Sequence, residues 1–452
     1  MLDAEIIFMK PSRSVFRHQS FLSRSPLRIG CSVFFSSLFL ARPLVAGEVS
    51  GEWEFAGKTF GDTSYARVTL KTEDNGKLTG RLNELKLEGS IKGDELTFSA
   101  KRPNGNQFGD FTGKLTGEKL EGTALWSGNR KVTWSAKRPA TPPAQPQTHD
   151  FEPTEFHRVF ADSIPPVLRI FPGDTVRTWT VDAGGVDSKG VQRSQGGNPE
   201  TGPFFVEGAF PGDTLAIKLN RVRLNRDSAE SGDRIVPTAL GAGYIERTKY
   251  QDKFDSNWVL DREQGVARLK NPTEHLKNYT VKLQPMIGCL AVAPPAHQAF
   301  RTGYLGVYGG NMDYNQIREG TTVYLPVFVP GALVFIGDGH AAQGDGELNG
   351  DALETSMDVE FTVTLLKGQP SPGPRAENDD YLMSLGIANS LPEALQSATT
   401  ELLNWLQRDY QLDPNEAAVV VGTSMQYNIA EVVDPLVHVV AKVPRKAVEP
   451  LK

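Results

Sequence analysis

Between residues 51 and 138 apolar and polar positions alternate along short runs such as Tyr65-Ala-Arg-Val-Thr-Leu70 and Glu95-Leu-Thr-Phe-Ser99, separated by Gly, Asn and Asp. A period of two broken by turn residues predicts an antiparallel meander. The segment also echoes itself: KLTGRL at 77–82 leads to LTFSAKRP at 96–103, and KLTGEKLEG at 114–122 leads to VTWSAKRP at 132–139. Two such hairpin sets predict a small closed barrel or a two-sheet sandwich. Trp53, Phe98, Trp126 and Trp134 either fill its interior or line a ligand cavity; filling is the simpler expectation.

PATPPAQPQTHD at 139–150 reads as an extended, semi-rigid tether. From Thr154 to about Gly368 the pattern is again strand and turn, and PGDT occurs twice, at 172–175 and 211–214. In each, Pro presets one dihedral, Gly permits positive φ and Asp bonds back to the main chain. After Gly368 the period lengthens. Ser390-Leu-Pro-Glu393 has the form of a capping box, and Leu395, Ala398, Leu402 and Leu406 then share one helical stripe. Asp413-Pro414 opens a second helix with Glu416 in its first turn, and LVHVVAKVP at 436–444 reads as a closing strand. The fold class is therefore α+β and mostly β: a small antiparallel module over 48–138, a Pro-rich linker over 139–152, and a β-rich domain over 153–447 with a C-terminal helical cap.

The N-terminus changes the picture of compartment. Cations at Lys10, Arg13, Arg17 and Arg24 precede Arg28 and the apolar run IGCSVFFSSLFLARPLVAG, which ends in small residues. That layout predicts a cleaved signal over 1–47 and a secreted or periplasmic protein, with Met9 as an alternative start. A retained membrane anchor is the rival reading, against which the short run broken by Arg42 and Pro43 argues, so no stable membrane span is expected once the leader is removed. Six cations against two anions in 1–47 mean that removal takes the net charge from −6 to −10, which argues against a nucleic-acid partner. Of two cysteines, Cys31 lies in the leader, so Cys289 is expected to be a single buried thiol.

The densest chemistry lies in GGNMDYNQI at 309–317 and GDGHAAQGDGE at 337–347. Asn311/Asp313, Asp338/His340 and Asp345/Glu347 are i,i+2 pairs, each preceded by glycine, and alternate residues of an extended segment share a face. One imidazole among carboxylates suits zinc, manganese or calcium; the plainer alternative is that Gly-Asp-Gly marks turns and His340 is a satisfied surface residue. Asp182 in VDAGG follows a strand and offers another carboxylate or an ordinary turn. Cys289, between apolar neighbours, is either a nucleophile or a core thiol. His157 and His297 lie in loop-like contexts, and His438 alternates within an apolar strand.

FPGDTV, GNPETGPFFVEGAFPGDTLAI, PMIGCLAVAP, GGNMD and YLPVFVPGALVFIGDGHAAQGDGE, in that order, resemble the acetamidase/formamidase family. The likeness runs from about Thr154 to Pro444; residues 51–138 lie outside it and look like an accessory domain. The resemblance implies hydrolysis of a short aliphatic amide to carboxylate and ammonia by an oligomeric, β-rich enzyme with a divalent metal, zinc ahead of calcium. Carried over by position, it implies Asp182, Asp313, His340 and Glu347 as metal ligands. On that basis Glu347, ahead of Asp345, is expected to carry the proton beside His340, and Asn311, Gly310 and Gly339 to meet substrate. The rivals are a thiol amidase using Cys289 and an inactive, secreted binding protein. Family members are usually cytoplasmic and lack the leader and module, so export leaves the natural amide open.

Overall fold

The computed structural model describes residues 49–451. The signal expected over 1–47, with Cys31, lies outside the described residues. Eight strands, Gly51–Thr59, Asp62–Thr72, Lys77–Leu82, Leu85–Lys92, Glu95–Lys101, Gln107–Thr116, Lys119–Trp126 and Arg130–Lys137, each pair antiparallel with the next, and the first pairs with the last. The module is thus a closed up-and-down barrel, which leaves no free sheet edge.

The alternating apolar positions point inward. Phe98 stacks on Phe111 at 4.8 Å between ring centroids and Phe55 on Trp134 at 5.7 Å. Trp53 and Trp134 are buried, donating their indole N–H to the carbonyls of Val49 and Thr123. Trp126 is only partly buried, against Phe108. The lumen is packed with rings.

The tether ends sooner than its composition suggests. Thr148–Asp150 already adds a parallel strand beside Thr175–Thr180 at the edge of a nine-stranded sheet. The two PGDT turns then do more than reverse the chain. Asp174 accepts from the backbone N–H of Phe171 and Gln147 (2.8 and 2.7 Å) and meets His149 Nε2 at 3.0 Å. Asp213 accepts from the N–H of Phe210 and Gly368 and from both Nη atoms of Arg67 on the barrel, at 2.6 and 2.5 Å. One carboxylate thus closes its own turn and clamps a distant segment.

The larger domain packs that nine-stranded sheet against a six-stranded one, and a single apolar core lies between them. In the smaller sheet, Val334–His340 runs between Thr201–Val206 and Met286–Ala291, antiparallel to both. Its seven residues are all buried, as an interior strand covered on both faces requires.

The helices lie near the C-terminus, as expected, and are flanked by strands of the nine-stranded sheet. Leu391–Tyr410 and Pro414–Ser424 connect Tyr381–Ala388 to Gln426–Glu431, both strands of the nine-stranded sheet. Ser390 caps the first helix by accepting from Glu393 N, and Asp413 with Glu416 forms a full capping box on the second. The buried face of the long helix is Ala394, Ala398, Leu402, Trp405, Leu406 and Tyr410, so Leu395, expected on the stripe, is exposed at 41%. Gly386 lets the helix lie directly on the sheet: a Cβ there would come within 2.5 Å of Ala398 N. Val437–Pro444 closes the domain as expected.

Candidate active site

The strand Val334–His340 continues four residues beyond its apolar run, so Asp338 and His340 lie inside the sheet rather than in a loop after it. Asp338 has φ +55°, a left-handed residue inside a strand that keeps its register with Met286–Ala291. Asp313 (φ +39°), Glu347 (φ +47°) and Asn198 (φ +52°) are likewise left-handed. Four strained, non-glycine residues converging on one place mark backbone held against its preference for the sake of side-chain aim.

His340 is the centre. Its Nε2 lies 3.1 Å from Glu354 Oε1, 3.5 Å from Asp338 Oδ1 and 3.8 Å from Asp313 Oδ1. None of these approaches has hydrogen-bond geometry: His340 Nε2, Asp313 Oδ1, Asp338 Oδ1 and Glu354 Oε2 are all buried without a partner. The other ring nitrogen meets Gln343 Oε1 at 2.9 Å, and Gln343 in turn donates to the carbonyls of Asp313 and Ala430. Donor atoms of Asp313, His340 and Glu347 lie within 4.8 Å of one another, as do those of Asp338, His340 and Glu354.

Polar side chains hold the acids from behind. Asn311 donates to Asp313 and to Asp434 Oδ2 (2.9 Å), and its own oxygen accepts from Asn198, which also bonds Asp338 Oδ2 at 3.1 Å. Gly288 O accepts the N–H groups of Met312 and Asp313, fixing the Asp313 backbone. Burial raises the pKa of Asp313, Glu347 and Glu354, the last to about 8, with neighbouring carboxylates adding to it; Asp434 rises to about 7, chiefly by burial. Burial opposes a proton on His340, but Glu354 and Asp338 outweigh it and raise its pKa well above the usual imidazole range. So many acids around one imidazole, with their inward oxygens unbonded, lack only positive charge. A divalent cation fits that donor set.

Of the residues expected at the site, Asp313, His340 and Glu347 come together. Asp182 does not join either group: Arg226 Nη2 holds its carboxylate at 2.6 Å, and it also accepts from Val186 N. Asp345 is exposed, bonded to the side-chain amides of Asn315 and Asn428. Both amide atoms of Asn311 are committed to protein partners, so it orders the acids instead of facing a ligand. At Gly310 a Cβ would lie 2.9 Å from Leu305 Cα, and at Gly339 3.0 Å from Thr355 O; glycine there answers to close sheet packing. His157 pairs through its backbone with Glu200, His297 meets Asp162, and His438 is buried with Nδ1 2.6 Å from Met312 O.

Sequence reasoning missed Glu354, Asn198 and Asp434. Glu354 reaches His340 through an isolated antiparallel β-bridge, a pairing with no local signature. It also lines a cleft of about 1000 Å³, together with Asp182, Asn198, Arg226 and Asp351. The cluster therefore opens to solvent along its Glu354 side.

Residues 295–444 match the family model described as the acetamidase/formamidase family, a span that contains Asn311, Asp313, Asp338, His340, Glu347, Glu354 and Asp434. The chain is similar to the acetamidase/formamidase family over this span. The crystal structure of an acetamidase from Yersinia enterocolitica superposes with a TM-score of 0.57 at 28% identity, covering 70% of this chain and 96% of that one. An acetamidase from Mycolicibacterium smegmatis is 43% identical over 217 residues, 37% of this chain and 53% of that one. A formamidase from Methylophilus methylotrophus is 23% identical over 300 residues, 52% of this chain and 72% of that one. Alignments with the curated relatives span between about half and 72% of their lengths.

Proposed function

We propose that the protein hydrolyses the C–N bond of a short linear amide to carboxylate and ammonia at the His340 cluster. The observation that carries this reading is the set of buried, mutually facing atoms without hydrogen-bond partners, Asp313 Oδ1, Asp338 Oδ1, His340 Nε2 and Glu354 Oε2. Asp313, His340 and Glu347 would hold the cation, with Asp338 beside them; the imidazole in the set favours zinc over calcium, which prefers oxygen alone. Such an ion supplies a Lewis acid for the amide carbonyl and makes water acidic near neutral pH.

The proton carrier is Glu354. It is the member of the cluster that borders the cleft, whereas Glu347 lies deeper with Oε1 accepting from Ala352 N at 3.1 Å. Glu354 takes the proton of the attacking water and returns it to the departing nitrogen. Gln343 keeps His340 Nε2 turned inward by occupying Nδ1. Arg226 and Asp182, paired on the cleft wall, neutralise each other and leave that part of the wall polar.

Elemental analysis coupled to ammonia release from formamide and acetamide tests this. His340→Ala should lose both metal and turnover with near-native circular dichroism, while Glu354→Gln should keep the metal and lose turnover about 100-fold or more. Metal-free protein that releases no ammonia from a panel of amides would favour a binding role. The thiol reading has little support: Cys289 is fully buried, and burial, reinforced by Glu200 and Asp338, raises its pKa well above the usual thiol range.

Export is part of the proposal and rests on the charge and apolar pattern of 1–47; N-terminal sequencing of protein recovered outside the cytoplasm tests it. Self-assembly, which the family resemblance suggests, is checked by light scattering. Among the described residues no helix is long and apolar enough to cross a membrane.

A further inference from the structure

A second cavity, of about 430 Å³, lies on the other face of the nine-stranded sheet. Its floor comes from alternate positions of neighbouring strands. Ala216 is paired with Tyr324, and Tyr324 with Arg375, while Leu215, Ile217, Val323 and Leu325 between them point into the main core. The C-terminal end of the helix Leu391–Tyr410 forms one wall.

The charges in this cavity do not balance. Glu377 is taken by Arg445 Nη2 at 2.7 Å and by Tyr324 OH at 2.7 Å. Asp409 is taken by Arg408 Nε at 2.6 Å and Trp405 Nε1 at 2.7 Å. Lys218 Nζ donates to Gly320 O. Arg375 has no carboxylate or carbonyl partner among the described residues. Its guanidinium carbon stands 4.6 Å from the centroid of Trp405 and 4.9 Å from that of Tyr324, and its Nε is buried without a hydrogen bond. Aromatic faces steady the guanidinium plane but leave its N–H edge unsatisfied. Burial lowers its pKa, as it does for a cation denied water.

We propose that this cavity binds a small monocarboxylate, its two oxygens on the Arg375 edge and its apolar part on Ala216, Leu366 and Leu382. The planar N–H edge of Arg375 matches the two oxygens of one carboxylate. A phosphate dianion would be left partly uncompensated beside Glu377 and Asp409, so the carboxylate is the class favoured. The cavity lies within the usual size range of small-molecule sites, and its rings and leucines give acids with a hydrocarbon tail more to cover than acetate has.

Titration calorimetry of the whole protein with benzoate, acetate and inorganic phosphate tests the proposal. Benzoate should bind the wild type more tightly than acetate and phosphate. Arg375→Met, which keeps the stem and removes the charge, should weaken benzoate at least tenfold. Ala216→Leu, which narrows the cavity and leaves Arg375 in place, should do the same, so the outcome does not hang on one variant folding. Turnover of acetamide should be unchanged in both, and His340→Ala should bind benzoate as the wild type does, which separates this cavity from carboxylate held at the cluster. Benzoate affinity untouched by both cavity variants, or lost only in His340→Ala, would overturn the site; phosphate binding more tightly than benzoate would overturn the ligand class.

Discussion

Gly288 provides a severe test of how the acids are arranged, because it touches none of the atoms proposed to react. It sits mid-strand in Met286–Ala291, opposite the left-handed Asp338, and its carbonyl fixes the backbone of Asp313. A Cβ built there would lie 2.7 Å from Asp338 Oδ2 and closer still to Asp313 Oδ1, where ordinary contact begins at 3.4 Å. In Gly288→Ala at least one carboxylate must therefore retreat by about 0.7 Å or more, in a core dense enough to resist. Overpacking of this kind costs about 1–3 kcal/mol. In a domain this large that is a drop in Tm of roughly 2–4 °C per kcal/mol. Displacement near 1 Å at a reacting centre costs on the order of 100-fold in rate, so kcat/KM should fall far more than stability does. The assay is ammonia release from acetamide, with metal content and thermal unfolding measured on the same sample. A variant within threefold of wild-type kcat/KM and with full metal content would refute the claim that these two carboxylates are held in place around one ion.

Cys289→Ala should keep turnover within a few-fold, at a cost of about 1 kcal/mol for the small cavity; an inert but folded variant would reinstate the thiol mechanism. Arg67→Ala removes the bidentate clamp on the buried Asp213 and should cost about 1–3 kcal/mol in denaturant unfolding, an intermediate value because Arg67 is partly exposed. It should also speed proteolysis within 139–147, and unchanged digestion would mean the barrel is held by other contacts. Leu402→Ala should destabilise by about 2–5 kcal/mol and Leu395→Ala by less than about 0.5 kcal/mol; equal effects would contradict the buried face assigned to the long helix.

Those last two residues show where reading the chain works and where it slips. The helix over 391–410 was legible because its caps are local: Ser390 and Glu393 are three residues apart, as are Asp413 and Glu416. Its facing was one step off. Leucines mark a stripe by hydrophobicity, but the helix lies so close over Gly386 that the contact positions are filled by Ala394 and Ala398. Small residues carry little signal, yet they are what allows backbones to approach. The barrel was legible for the opposite reason. Every pairing but the closing one, of the first strand with the last, joins consecutive strands, so period two and turn residues suffice.

The cluster sits between these cases. Asn311, Asp313, Asp338, His340 and Glu347 stood out as glycine-flanked polar pairs, but spacing assigned roles by alternation, and alternation fails wherever the backbone turns left-handed. It does so at Asp313 and Glu347, in the turns that follow pairing. Asp345, two residues from Glu347, is thereby sent to the surface while its neighbour is buried. Glu354 was invisible because a β-bridge to His340 supplies it, and Asp182 was misleading because Arg226, 44 residues on along the chain, neutralises it. The common cause is that a buried carboxylate is defined by what balances its charge. Asp182 and Asp213 have arginines, whereas the acids around His340 have only an imidazole and one another, and that residual imbalance is what distinguishes a site for a cation from a set of salt bridges.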